Sequence, residues 1–211
     1  HGSELYVSGG FGFHSNHALG VTQQVDPDTG TARRADGTIV VPVSPLVRTR
    51  GAESGARLAI GSRVQTSVAF WVLDSGSELI YVPEDGVTSP ERPGRRHGVE
   101  WLNTLALHRL VQADLDVALS TARYRTDPLN EGRLIPDAAR AVIGGGVSLN
   151  AARIGASLRG RYVGRRPLEP SGATSVDGAF LLNGSLEWHV TQRLRLEAQG
   201  FNLLDRVYED T

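Results

Sequence analysis

The connections between the apolar segments of this chain alternate strictly between long and short. Alternating apolar and polar residues predict about nine β-strands, at residues 3 to 14, 51 to 62, 64 to 82, 97 to 108, 111 to 125, 141 to 150, 153 to 165, 178 to 190 and 194 to 204. Tight turns are predicted at 62–63, 109–110, 151–152 and 191–193, and long connections at 15–50, 83–96, 126–140 and 166–177. An antiparallel barrel that spans a membrane sorts its connections in this way, because its short turns face one compartment and its long loops the other.

The strand lengths favour the same architecture. Most of the segments run about 11 to 19 residues, whereas a strand of a soluble protein usually has about 5 or 6. A strand that crosses a bilayer at a tilt needs about 9 to 11. The sequence therefore predicts an all-β fold, an antiparallel up-and-down transmembrane β-barrel fragment. Alternation alone would also suit a half-buried soluble sheet.

Composition excludes several other classes. Lys plus Arg number 22 against 23 for Asp plus Glu, so no strong field favours nucleic acid as a partner. The absence of Cys removes disulfides, thiolate metal sites and cysteine nucleophiles together. No apolar run approaches the length of a transmembrane helix. Since no Gly-x-Ser-x-Gly motif occurs either, we expect neither an enzyme nor a resident cofactor.

One face of the predicted strands carries charge. In the strand at 111–125, for example, Leu115 and Val117 point one way, while Asp114 and Asp116 point the other. A charged face inside a barrel must be wet or filled by something polar. We expect the following residues to face the lumen: Asp114, Asp116, Arg159, Arg161, Glu187, Arg195 and Glu197.

Aromatic residues lie near the ends of several predicted strands. Trp188 is beside a short turn, and Tyr81, Tyr124 and Tyr162 lie toward long loops, where the interfacial girdles of a barrel belong. Ordinary core or surface aromatics remain an open alternative. The triplet at 144–146 consists of glycines inside a strand, which indicates close strand packing or a bulge.

The longest connection is the strongest candidate for contacts to a ligand. Its glycines and prolines break regular structure, and its charged residues supply polar contacts. We expect His14, His17, Arg33 and Arg34 to contact a ligand. The two histidines could also hold a divalent metal with Asp26 or Asp28 as a further ligand. A pair of histidines is weak evidence, so no metal site is assigned, and a plain turn is the simpler interpretation of residues 26–30.

Several short motifs resemble those of a known family. Gly200-Phe201-Asn202-Leu203-Leu204-Asp205-Arg206-Val207-Tyr208 resembles the Asn-Leu-Phe-Asp-Arg segment that closes the penultimate strand of TonB-dependent outer-membrane receptors. The strand and loop entries at 5–7, 10–16 and 45–53 resemble this family too, as do segments at 70–71, 77–82, 89–101 and 164–168. The order and spacing of these motifs across nearly the whole chain give the resemblance its specificity.

The resemblance implies a fold, a location and a function. Such receptors have a 22-stranded barrel filled by a plug, lie in the outer membrane of Gram-negative bacteria, and take up scarce ligands with force from the TonB-ExbB-ExbD system. We therefore expect residues 1–211 to be one partial C-terminal barrel segment without plug, TonB box or final strand. Its expected partners are outer-membrane lipid, the TonB system through the plug, and a small-molecule ligand such as an iron-siderophore or other metal complex.

Two other classes remain open at this point. One is a small self-contained outer-membrane barrel, acting as a pore, a structural element or a lipid-modifying enzyme; it requires an even number of strands and a closing terminal strand. The other is a soluble all-β binding module, which would have shorter strands and unsorted loops.

Overall fold

The computed structural model describes residues 2–15, 21–22, 24–26, 28–33, 35, 37, 39–40, 44–82, 87–90, 92–128 and 130–208, with the side chains of 79–82 and 87–90 excepted. Nine strands form one antiparallel sheet, in the order β1, β2, β3, β6, β7, β8, β9, β12, β13. Each strand pairs with the preceding sheet strand, as in an up-and-down barrel wall. These strands are β1 (Gly2–Ser15), β2 (Leu46–Ile60), β3 (Val64–Ser75), β6 (Gly94–His108), β7 (Val111–Tyr124), β8 (Ala141–Asn150), β9 (Ile154–Val163), β12 (Ala179–His189) and β13 (Arg195–Gly200).

Two small hairpins lie in the long connections. β4 (Leu79–Val82) pairs with β5 (Val87–Pro90), and β10 (Arg166–Pro167) pairs with β11 (Ser175–Val176). The first hairpin corrects the prediction that the third strand continues to residue 82. The strand ends at Ser75, whose hydroxyl donates to the Ser77 carbonyl at 2.7 Å and turns the chain out of the sheet.

The predicted sheet strands and short turns are otherwise confirmed, with shifts of a few residues at the ends. β8 has the predicted bounds, 141–150. The largest shift at a strand start is in β2, which begins at Leu46 instead of residue 51 and pairs along its length with β1. Turns at 61–63 and 109–110 join adjacent strands. The sorting of long and short connections is therefore a property of the folded chain.

The sheet has no ordinary hydrophobic core. Among the described residues, the buried apolar side chains are those of Val40, Val47, Tyr124 and Ile135. Large apolar side chains instead lie exposed along one face; Phe70 is 59% exposed and Leu158 50%. Soluble monomers rarely expose so large a continuous apolar face, whereas the lipid-facing wall of a barrel requires one.

The described part of the chain contains no helix that is both long and apolar enough to cross a bilayer.

Candidate functional site

The face opposite the apolar one is polar and grooved. Directly paired residues point to the same side of a sheet, and the register places all seven predicted lumen residues on this second face. A groove of about 570 Å³ runs along it, lined among others by Glu100, Asp116, Arg159 and Arg161. Charged side chains thus converge on a concave surface, which is the form that a barrel interior takes.

A bidentate ion pair crosses a whole strand on this face. Arg159 of β9 donates from Nη1 and Nη2 to the two carboxylate oxygens of Asp114 of β7, at 2.9 and 2.7 Å. Gly146 of β8 lies between them in the register. A Cβ atom on Gly146 would lie 2.9 Å from Cγ of Arg159 and 2.7 Å from the Leu158 carbonyl oxygen. The glycine therefore lets the arginine reach across, and β8 has no register shift, which favours close packing over a bulge.

The other predicted lumen residues lie on β7, β9, β12 and β13. Asp116 and Arg161 flank Gly144 in the next register row, where an added Cβ atom would meet nothing within 4 Å. Near the short-turn end, the carboxylate of Glu187 contacts the His189 ring and lies 3.7 Å from Arg195. Glu197 accepts a hydrogen bond from Gln199 at 2.6 Å.

A second polar cluster lies where the long loops begin. Arg92 stacks on Tyr124, with its guanidinium carbon 4.2 Å from the ring centre. It also donates from Nη1 to Asp127 and to the Gly132 carbonyl, both at 2.9 Å. Asp127 in turn accepts the backbone N–H groups of Glu131 and Gly132. We call Arg92, Tyr124, Asp127 and Gly132 the loop hub.

The side chains of the loop hub are mostly buried, although they lie where the strands end and the long loops leave the sheet. Tyr124 is fully buried, and the Arg92 and Asp127 side chains are 13% and 20% exposed. Buried charges that are paired and hydrogen-bonded resist disruption, because removing one partner strands the other. Tyr124 is therefore a core residue and does not belong to an interfacial girdle.

The connection between β7 and β8 also packs on the connection between β9 and β12. The Leu134 N–H donates to the Pro170 carbonyl at 3.0 Å, and the Asp137 N–H donates to the Pro167 carbonyl at 2.8 Å. Arg166 lies 3.4 Å from the Asp137 carboxylate. Two long loops and the segment before β6 thus form one assembly with the loop hub at its base.

The predicted ligand contacts lie in a different part of the loop edge. His14 is exposed at the end of β1, on the polar face. Arg33 is exposed, donates to the Gly37 carbonyl at 2.9 Å and forms an isolated bridge with Ile39. His17 and Arg34 lie outside the described residues. The structure thus describes two of the four, and it does not bring them together with the loop hub.

Two of the candidate metal ligands, Asp26 and Asp28, lie in a turn. The Asp26 carboxylate accepts the backbone N–H groups of Asp28 and Thr29, at 3.1 and 3.0 Å. No group of three or more metal-binding side chains occurs among the described residues. The turn interpretation of 26–30 accounts for these contacts.

The segment that carries the strongest motif resemblance is a closed turn. Asn202 has a positive φ of 48°, and its carboxamide accepts the Arg206 N–H at 3.0 Å and donates to the Arg206 carbonyl at 2.9 Å. Its own N–H donates to the Asn183 side chain. The ninth strand therefore ends at Gly200 and not at 204, because Asn202 closes the chain into a turn.

Sequence reasoning missed the loop hub. Its members come from two separate stretches of chain, Arg92 and residues 124–132, and only Tyr124, the last residue of β7, lies in a strand. The sequence predicted only that residues 83–96 and 126–140 are long connections. Burial of Tyr124 could be inferred only from the packing of distant segments.

No protein-family model matches the sequence, and no curated protein does either. Solved structures do match in fold. The ferric yersiniabactin uptake receptor FyuA from Yersinia pestis aligns with a TM-score of 0.73 at 16% identity, over 98% of this chain and 30% of that one. The copper transporter OprC gives 0.73 at 14%, over 98% and 32%. BauA, the ferric preacinetobactin receptor from Acinetobacter baumannii, gives 0.67 at 16%, over 98% and 30%.

These likenesses confirm the predicted fold. The chain has the antiparallel barrel-wall fold of TonB-dependent outer-membrane receptors, and it spans about 30% of the length of the structures it matches. The strand order, the sorted connections and the exposed apolar face agree with that assignment.

Proposed function

We propose that this chain is the C-terminal part of the barrel of a TonB-dependent outer-membrane receptor that takes up a scarce ligand, such as an iron-siderophore or another metal complex. The observation that carries the proposal is the division of one nine-stranded sheet into an exposed apolar face and a grooved charged face, with packed loops at one edge. Residues 1–211 would then be a single partial barrel domain.

Each face has a role in this proposal. The apolar face contacts outer-membrane lipid, and the charged face lines the lumen, where Asp114, Asp116, Arg159 and Arg161 meet a plug domain or the passing solute. The interior of a large barrel is polar and holds a water-filled channel or a plug. Force reaches the barrel through the plug from the TonB-ExbB-ExbD system. Uptake of this kind requires binding and release, and no catalytic residue.

The loops supply ligand contacts. The loop hub and the connections packed on it form a base that holds the edge of the barrel in one arrangement, which lowers the entropy cost of binding. The proposed contacts are His14, at the end of β1, and His17, Arg33 and Arg34, in the longest loop. Imidazole and guanidinium groups suit a metal chelate with acidic oxygens.

Two observations weigh against the soluble alternative. Strands of this length and a broad exposed apolar face are unusual in a soluble protein. The described part of the chain provides no feature that specifically favours a small pore.

Uptake by cells tests the function. The full-length gene should be expressed under iron, copper or cobalamin limitation, and the labelled ferric siderophore, copper chelate or cobalamin should be offered to cells with and without TonB. We expect accumulation of one ligand that is lost without TonB. Accumulation that is independent of TonB would contradict the receptor, as would native protein in the soluble fraction without detergent.

A matched pair of variants tests the ligand contacts. Arg33→Ala should weaken binding of the transported ligand to the full-length protein about fivefold, the effect of losing about 1 kcal/mol. The control Arg193→Ala removes an exposed arginine from a short turn at the opposite edge. Equal affinities for the two variants would remove Arg33 from the site, and unchanged affinity after deletion of residues 23–36 would remove the loop.

A further inference from the structure

A row of arginines lies on the wrong face of the sheet for a purely apolar wall. The register aligns Arg50 of β2, Asp74 of β3, Arg95 of β6 and Arg123 of β7 side by side. Arg48 of β2 projects from the same face, two residues nearer the long loop. All five are on the face that carries the exposed apolar side chains, and we call them the outer arginine row.

The row lies at the edge of the apolar band. On β3 the outward residues between Val64 and Val72 are Thr66, Val68 and Phe70, and Asp74 follows next. Residues 64–72 at about 3.3 Å each, tilted by about 40°, cover about 20 to 25 Å. That is close to the roughly 25 Å height of the apolar band of a barrel. The arginines therefore lie at the level of lipid headgroups, on the long-loop side.

The Asp74 carboxylate fixes two of the guanidiniums. Arg50 donates to it from Nε and Nη2 at 3.1 and 3.0 Å, and Arg95 from the same atoms at 2.6 and 2.9 Å. The Asp74 side chain is 10% exposed, while those of Arg50 and Arg95 are 59% and 50% exposed. A guanidinium has five N–H donors, and within the described residues the Asp74 carboxylate engages only the Nε and Nη2 groups of each arginine. The remaining donors can bind a further acceptor.

The charge of the row is not balanced by its own residues. Four guanidiniums face one carboxylate, and Arg48 and Arg123 are exposed with no ion-pair partner within the described residues. Arginine binds phosphate oxygens in a bidentate manner and is the residue best suited to this task. A phosphate group at this depth would complete the row.

An apolar hollow lies directly below the row, toward the short turns. It measures about 590 Å³ and is lined by Phe70, Val99 and Leu119 of the outward face, with His97 and Arg140 at its rim. A headgroup held by the arginines would place an acyl chain in this hollow. Free phosphate has no apolar group that could fill the hollow.

We propose that the outer arginine row binds the phosphate-bearing headgroup of a lipid in the leaflet on the long-loop side, with an acyl chain of that lipid in the hollow beneath. This inference rests on the proposed membrane location and is independent of the ligand taken up. It assigns to Asp74 the role of a positioning residue, which holds two guanidiniums side by side and contacts no phosphate itself.

Lipid binding to the full-length protein in detergent tests the proposal. The probes are diphosphorylated lipid A, the same lipid after phosphatase treatment, and inorganic phosphate, each measured by native mass spectrometry. We expect retention of the diphosphorylated lipid, at least tenfold weaker retention of the dephosphorylated lipid, and no displacement by an equal concentration of inorganic phosphate. Equal retention of both lipids, or displacement by phosphate, would overturn the proposal.

Variants locate the site without disturbing Asp74. Arg48→Gln with Arg123→Gln leaves the two ion pairs of Asp74 intact, and each arginine lost should weaken lipid binding about fivefold. Arg193→Gln is the control at the opposite edge. An equal loss of lipid binding in the double variant and in Arg193→Gln would refute the assignment to this row. Unchanged lipid binding in both variants would refute it too. The comparison of the two lipids on the unaltered protein decides the question if the double variant does not fold.

Failure of this proposal is distinguishable from failure of the proposed function. A protein that takes up its ligand normally but does not discriminate between the two lipids would refute the outer arginine row alone. A protein that fractionates as soluble without detergent would refute the receptor and the lipid site together.

Discussion

The two ends of the barrel wall, which we call the short-turn edge and the long-loop edge, differ in how much tertiary structure they carry. At the short-turn edge, 61–63 and 109–110 simply reverse the chain, and most of their side chains are exposed. At the long-loop edge lie all the buried side chains noted among the described residues: Val40, Val47, Asp74, Ser75, Tyr124 and Ile135. The wall between the edges is held mainly by backbone pairing.

This difference shows that buried side-chain contacts are needed at the loops more than in the wall. A barrel strand satisfies its backbone through its neighbours and gives its apolar face to lipid, so the wall needs little side-chain interdigitation. Loops that leave the sheet have no such support. They become ordered only where buried polar contacts and a few apolar residues replace the lost ladder hydrogen bonds.

The largest expected effect is at Gly132 in the loop hub. Its φ is +106°, and a Cβ atom there would lie 2.7 Å from the Ser171 Cα. We expect Gly132→Ala to lower the free energy of unfolding by about 3 kcal/mol, from backbone strain and overpacking together. Urea unfolding of the full-length protein in detergent, followed by tryptophan fluorescence, measures it. Gly61→Ala is the control at the short-turn edge, where φ is +59° and the space is open; a loss as large as that of Gly132→Ala would break the contrast between the edges.

Removal of the hub arginine should have the next largest effect. Arg92→Met keeps much of the side-chain volume but leaves Asp127 without its ion-pair partner. We expect a loss of about 2 kcal/mol by the same unfolding measurement. The matched control, Arg63→Met, alters an exposed arginine in the turn between β2 and β3. We expect that control to change stability by less than about 0.5 kcal/mol. Similar losses in the two variants would mean that the hub does not stabilise the loop edge.

Two glycines of one strand test the packing of the wall itself. Gly146→Ala should displace Arg159 from Asp114 and cost about 1 to 2 kcal/mol, since the added methyl group would contact backbone and side chain. Gly144→Ala adds the same methyl group on the same face, two residues away, into open space. We expect it to be neutral or slightly stabilising. If the two variants unfold alike, the cross-strand ion pair has no bearing on stability.

The smallest effect concerns pH in the loop between β10 and β11. The pKa of Glu169 is lowered from its ordinary value of 4.5, because the hydroxyl and the N–H of Thr174 donate to its carboxylate. The contact is therefore fully present above the ordinary pKa and is lost as the pH falls through the lowered one.

A titration of the Thr174 amide chemical shift by NMR measures this effect, and we expect its midpoint below pH 4.5. Glu169→Gln retains an acceptor oxygen without the titration, and should give a flat profile. A midpoint at or above 4.5 would show that the folded loop does not favour the carboxylate.

The sheet was predictable from sequence because it rests on local patterns. Alternation assigns Leu115 and Asp114 to opposite faces whatever the partners are, and the short turns at 61–63 and 109–110 lie where the patterns stop. The strand ends were less predictable. β3 ends at Ser75 and β13 at Gly200 through hydrogen bonds of Ser75 and Asn202, which no apolar period records.

The candidate site divides in the same way. The seven predicted lumen residues share one face, as the period requires; that this face is the lumen stays a prediction. The ligand contacts His14, His17, Arg33 and Arg34 also stay predictions. The loop hub could not be predicted, since it depends on where three loops meet.

The sequence by itself determined the number of strands in the large sheet, its two faces and the strand ends at which the long loops lie, because each of these follows from spacing along the chain. Only the tertiary structure decided which residues stand side by side. Asp74 lies between Arg50 and Arg95, and Arg159 reaches Asp114 over Gly146, through register alone. Register is fixed by the pairing of whole strands, so it brings together residues that no local pattern connects.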